Sequence, residues 1–197
     1  MPQNPFPSTY RAYPGRPVAL VGATVFDGTG KFVTPGIIDI HSHLGDYPSP
    51  QIRALSDGNE ATAPVTADVW AEHSVWPQDP GFAAALAGGV TTLQVLPGSA
   101  NLVGGRGVTL RNVPATSYQA MKFPGAPWGL KMACGENPKR VYGEGKGVTP
   151  ATRMGNVAGY RAAFIDASEY LRKTSPKSSE PKKKRWWQGS TAANGSD

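Results

Sequence analysis

Thr34-Pro35-Gly36-Ile37-Ile38-Asp39-Ile40-His41-Ser42-His43-Leu44-Gly45 is the stretch on which the fold turns. Pro35-Gly36 punctuates the chain, and GIIDIH (36–41) is a short, nearly continuous apolar run. Such a run reads as a strand buried on both faces of a parallel sheet. His41 and His43 stand two residues apart, so on a strand both imidazoles leave from one face. Together they can grip one cation. Two polar residues closing a strand would look the same, so the spacing alone does not fix the chemistry. Position adds weight, because the C-terminal ends of strands carry the chemistry in α/β barrels.

Downstream, residues 44–78 are polar, irregular and punctuated by proline, which predicts a long loop. Asp79-Pro80 then supplies an N-cap followed by proline at the first helical position. The helix is expected through GFAAALA and to end at Gly88-Gly89. VTTLQVL (90–96) predicts a second buried strand, VTLRNV (108–113) a weaker one, and WGLKMA (128–133) a third core strand. In 151–173, Met154, Val157, Ala158, Phe164, Ile165, Ala167 and Leu171 lie roughly on a helical stripe. Upstream, the proline-rich residues 1–17 read as an extended arm. Residues 18–26 (VALVGATVF) are β-prone and stop at the turn Asp27-Gly28-Thr29-Gly30. From Thr174 onward periodicity is lost, and 174–197 reads as a disordered basic tail. This order of elements favours α/β with a parallel sheet.

Composition narrows the options. The chain has 197 residues, of which 39% are hydrophobic, with 24 glycines and 19 prolines, so it is rich in loops. A net charge of +6 invites a nucleic-acid reading. However, Arg172 to Asp197 holds seven basic and two acidic residues, which accounts for five of those six charges. Pro181-Lys182-Lys183-Lys184-Arg185, with Trp186 and Trp187, resembles a basic nucleic-acid or nuclear-localisation patch. A solvated tail is the preferred reading, since the body carries no basic face, and nucleic acid is not the expected partner. Cys134 is the single cysteine, so no internal disulfide forms. That fits a reducing compartment, and a cytoplasmic location is expected. No apolar run approaches the ~18 residues of a membrane span.

The Thr34–Gly45 stretch resembles the first-strand signature of the amidohydrolase superfamily, in particular its imidazolonepropionase-like members. Val21-Gly22-Ala23-Thr24-Val25-Phe26-Asp27-Gly28-Thr29-Gly30 is similar to the strand that opens their small β-domain. Ala87-Gly88-Gly89-Val90-Thr91-Thr92 resembles the helix-to-strand junction that follows. The resemblance implies a (β/α)₈ barrel holding one or two divalent metals, zinc being the expected ion, with His41 and His43 as the first two ligands. It implies hydrolysis of an amide or other C–N bond by a metal-activated water. Some members bridge two metals with a carbamylated lysine on the fourth strand, and Lys131 is the candidate here; an ordinary lysine at a strand edge is the alternative. Asp39, inside the strand, is expected to be a structural carboxylate or one that orients an imidazole, rather than to bind metal. His73, alone in its loop, is expected at the surface or lining the substrate. Gly135-Glu136-Asn137-Pro138-Lys139-Arg140 is read as a polar turn at the catalytic face.

The sequence also departs from that family. It holds no histidine after His73 and no strand-ending aspartate near its end. Only Lys31-Phe32 separates Gly30 from Val33, where the family places tens of residues. The expected organisation is therefore an arm (1–17), a remnant of the small β-domain (18–33), a partial barrel (34–173) and the tail (174–197). Negligible activity is expected of the chain alone, with a complementing chain or oligomer as partner and a small amide or peptide as substrate. A catalytically inactive fragment is the alternative. Asn101-Leu102-Val103-Gly104-Gly105-Arg106-Gly107 resembles a phosphate loop but lacks its Lys-Ser/Thr, and is read as a barrel loop.

Overall fold

The structure, a computed structural model, describes residues 35–175. The expected arm, the β-domain remnant and the tail beyond Ser175 lie outside the described residues. The chain divides into two units after Ala163. The first unit holds the sheet and its short helices. The second, in its described part, is the C-terminal half of one long helix.

Four strands form one sheet in the order β1-β2-β3-β4: β1 Ile37–Ser42, β2 Val90–Val95, β3 Val103–Arg111 and β4 Gly129–Met132. The expectation of a parallel sheet holds only for β1 and β2. The β2–β3 and β3–β4 pairs are antiparallel. Only a short loop separates β2 from β3, too short for the crossover a parallel pair needs, so the chain returns as a hairpin. Two reversals leave β4 parallel to β1. Among the described residues this is part of a sheet, with β1 and β4 at its edges, and no closed barrel forms.

One face of the sheet carries the core. Leu93 lies opposite Leu110, and Val95 opposite Val108, all fully or almost fully buried. Phe82 of α1 (Pro80–Ala87), Met121 of α2 (Tyr118–Met121) and Val75 pack with these four. Strand alternation sends Thr92, Gln94, Thr109 and Gly105 to the other face. The expectation that residues 36–41 are buried on both faces is corrected. Ile37, Ile38 and Ile40 are 54%, 65% and 74% exposed. Among the described residues their strand has a neighbour on one side only, so the apolar run marks an edge.

The Gly-rich stretch expected as a loop is largely strand, because β3 begins at Val103. Two of its glycines act by making room. A Cβ on Gly107 would fall on the Leu96 side chain, and one on Gly105 would fall on Val69 O. The segment expected as a polar turn after β4 is instead helical: α3 (Glu136–Lys139) runs into a π-helical turn, Arg140–Glu144. The last helix, α4 (Arg153–Thr174), ends where the tail was expected to begin. Its Met154 and Val157 are exposed, as are Phe164, Ile165 and Leu171 in the second unit.

The predicted N-cap does more than start a helix. The Asp79 carboxylate accepts from Gly81 N at 2.8 Å and also from Gly45 N at 3.0 Å and Ser49 N at 3.1 Å. It therefore ties the loop after β1 to the start of α1. Charge-assisted bonds of this kind are each worth about 1.5–3 kcal/mol, and the residue is almost fully buried. Asp79→Ala should cost at least about 2 kcal/mol. A urea midpoint unchanged from wild type would contradict this.

Candidate metal centre

His41 and His43 leave the C-terminal end of β1 with their rings 5.2 Å apart between centroids, at 78°. Lys131, on β4, reaches the same point from across the sheet. Its Nζ lies 3.2 Å from His41 Nε2. The two residues are 90 positions apart in the chain. β4 brings them together because Lys131 stands opposite Gly105 of β3, on the face turned away from the helices.

His43 is held from a second direction. Its Nδ1 lies 2.8 Å from the carbonyl oxygen of Leu96, at the end of β2. Only a protonated Nδ1 can donate to a carbonyl, so this bond leaves the Nε2 lone pair for another partner. Leu96 is itself fixed, its N donating to Ser42 O at 3.0 Å and its side chain filling the space over Gly107. No sequence signal points to a backbone carbonyl. The glycine opposite it is the only trace.

Burial pushes the His43 pKa down, and the charges of Lys131 and His41 add to the shift, against the Leu96 hydrogen bond and Asp39. Burial alone pushes the Lys131 ammonium down. Both groups are thus biased toward neutral forms with a lone pair to offer. The donor set fits a divalent ion that favours imidazole: two histidines with one Nε2 directed by its tautomer, and a buried amine beside the other. Among the described residues, no three His, Cys, Asp or Glu side chains come together. The set is therefore two imidazoles plus the lysine.

Asp39 takes the structural role of the two expected for it. Its Oδ1 accepts from the backbone N of His41 at 3.0 Å, which shapes the strand end. His73 is exposed and stacks on Trp70 at 5.8 Å, with Tyr118 Oη 3.3 Å from its Nδ1. It joins that aromatic group rather than the His41–His43 pair.

Asp46 lies just past the histidines, fully buried, with Oδ1 accepting from Ser74 Oγ at 2.9 Å and Oδ2 without a hydrogen-bond partner. Burial raises its pKa to about 8, helped by Asp57 and opposed by Ser74. The folded state therefore holds a proton that the unfolded chain releases near 3.8. This stabilisation is complete below that pH, declines as pH rises, and is gone above about 8. Asp46→Asn should flatten the decline and be more stable than wild type at pH 9. Parallel urea titrations at pH 5 and 9 would show it, and equal slopes for both proteins would refute it.

An edge strand delivering two imidazoles to a buried lysine, with helices behind the sheet, defines a mixed α/β protein with a candidate metal centre at its strand ends. No family model matches the chain. It is 38% identical over 160 residues to Amidohydrolase tasK of Hapsidospora irregularis, a match covering 77% of this chain and 16% of that protein. The crystal structure of an amidohydrolase from Thermotoga maritima MSB8 is similar at a TM-score of 0.68 and 43% identity. That match covers 85% of this chain and 43% of the other. The chain belongs to the amidohydrolase family. It spans less than half the length of either relative.

Proposed function

We propose that this chain carries the first ligands of a metal-dependent hydrolase acting on amide or other C–N bonds. The observation behind this reading is the meeting of His41, His43 and Lys131 at one end of the sheet. His41 and His43 are the ligands, and Lys131 is the third donor. A divalent ion held there, zinc by its preference for imidazole, would supply an acidified water and polarise a carbonyl. The protein's part is to hold the donors in place and bias them toward their neutral forms: the Leu96 carbonyl fixes the His43 tautomer, and burial lowers the Lys131 pKa. The substrate class is a small amide or peptide, and the lone cysteine is consistent with a reducing, cytoplasmic setting.

A second reading concerns completeness. Ile37, Ile38 and Ile40 on β1 and Leu130 on β4 are exposed at the two sheet edges. Edges unpaired among the described residues invite another strand. On this reading the donor set is finished by a second polypeptide, and the chain alone turns over substrate negligibly.

Isothermal titration of the full chain with Zn²⁺ and Co²⁺ tests the first reading. One ion should bind, and His41→Ala or His43→Ala should weaken it by more than the roughly 10–100-fold typical of losing an outer partner. An affinity indifferent to both substitutions would end the proposal. Cobalt-supported turnover of a dipeptide or N-acyl amino acid by the chain alone would end the second reading and leave the first standing.

A further inference from the structure

We infer that Tyr47, an ordinary loop aromatic by sequence, is a positioning residue for His43. The inference rests on the ligand reading of His43 above. One hydrogen bond, to Leu96 O, fixes where Nδ1 points but leaves the imidazole plane free to rock about that direction. Two rings meet that plane nearly at right angles. One is His41, itself a ligand. The other is Tyr47, with centroids 5.6 Å apart at 85°. Edge-to-face ring contacts in this distance range are favourable and directional. Tyr47 follows the histidine by one turn of chain, its N donating to His43 O at 3.1 Å.

Tyr47 is itself clamped. Its hydroxyl meets the Asn59 Nδ2, and Asn59 Oδ1 accepts from Ala100 N at 3.0 Å. Two glycines flank it. A Cβ on Gly58 would fall on the phenol ring and hydroxyl, and a Cβ on Gly98 would fall on the hydroxyl and on Asn59. Neither glycine has a left-handed φ, so space rather than conformation accounts for both. Gly98 N also donates to Gly58 O at 2.6 Å, which closes the clamp behind the ring. The loop after β1, the loop around residue 58 and the loop after β2 thus converge on one phenol whose ring meets the His43 imidazole nearly at right angles.

The test uses the full chain with ¹⁵N-labelled histidine. Metal-free spectra read the His43 tautomer, and Co²⁺ absorption reads the affinity of the pair. Wild type should show a single Nδ1–H tautomer. Tyr47→Leu should give a tautomer mixture and lose about 10–100-fold in cobalt affinity, the range for outer partners of a metal ligand. Tyr47→Phe keeps the ring and should keep both properties. Gly98→Ala, which displaces the ring without altering it, should behave like Tyr47→Leu. A Tyr47→Leu protein with native circular dichroism and unchanged tautomer and affinity would overturn the inference. If that variant does not fold, an unchanged His43 tautomer in Gly98→Ala overturns it. If wild type binds no cobalt, the ligand reading falls, and the metal-free tautomer still decides the role of Tyr47.

Discussion

Replacing Lys122 with methionine should destabilise the protein by about 3–5 kcal/mol, the cost of leaving a buried charge without its partner. Lys122 Nζ lies 2.8 Å from Glu72 Oε2, and the two side chains are 5% and 0% exposed. The other carboxylate oxygen, Oε1, is buried without a hydrogen-bond partner. Glu72 therefore has little besides this lysine to offset its desolvation. The ammonium also lies 4.5 Å from the Trp128 ring centre, a contact methionine keeps only in part. Lys122 pairs with Leu110 of β3 through an antiparallel bridge, and Glu72 sits in the Ala71–His73 turn. The ion pair thus pins that turn against the sheet. Lys122→Met combined with Glu72→Leu should recover most of the loss, because a well-packed apolar pair often replaces a buried ion pair at no cost. Equal urea midpoints for the single and double variants would show that the lysine acts by some other route.

Gly105→Ala should be nearly as damaging, at about 3 kcal/mol or more. Gly105 has φ of +115°, a conformation that L side chains rarely adopt. A Cβ there would also collide with Val69 O, whose residue accepts from Arg106 N at 2.7 Å. Backbone cannot yield as a flexible side chain can. The damage should reach the candidate centre, since Gly105 is the register partner of Lys131. The expected result is a lower melting temperature together with weaker metal binding. A loss of stability with unaltered Co²⁺ affinity would show that the β3–β4 register does not set the position of Lys131.

Local signals carried most of what the sequence disclosed. The histidines close β1, the Asp79 cap opens α1, and Lys131 lies on β4, all close to where capping chemistry and apolar runs predict. What stayed hidden depends on neighbours. An apolar run such as Ile37-Ile38-Asp39-Ile40 reads alike at the centre or the edge of a sheet, because periodicity does not report which strand lies alongside. The direction of β3 was hidden for a related reason. Glycines at 104, 105 and 107 look like a loop, and only the Val69 carbonyl at Gly105 and the Leu96 side chain at Gly107 explain why two of these strand positions lack a Cβ. The supports of His43 were less legible still. A backbone carbonyl leaves no mark in a sequence, and Tyr47 is an ordinary loop aromatic until Gly58 and Gly98 are seen against it.

The strand that delivers both imidazoles is, among the described residues, one of the two at the margin of the sheet. Fraying begins at such margins, and an ion gripped by His41 and His43 would be gripped by a rim. Capturing the ion and quieting the rim are then a single thermodynamic event, each drawing on the other. Occupancy of the centre would be felt as stiffness along Ile37–Ser42 well before it is felt as chemistry.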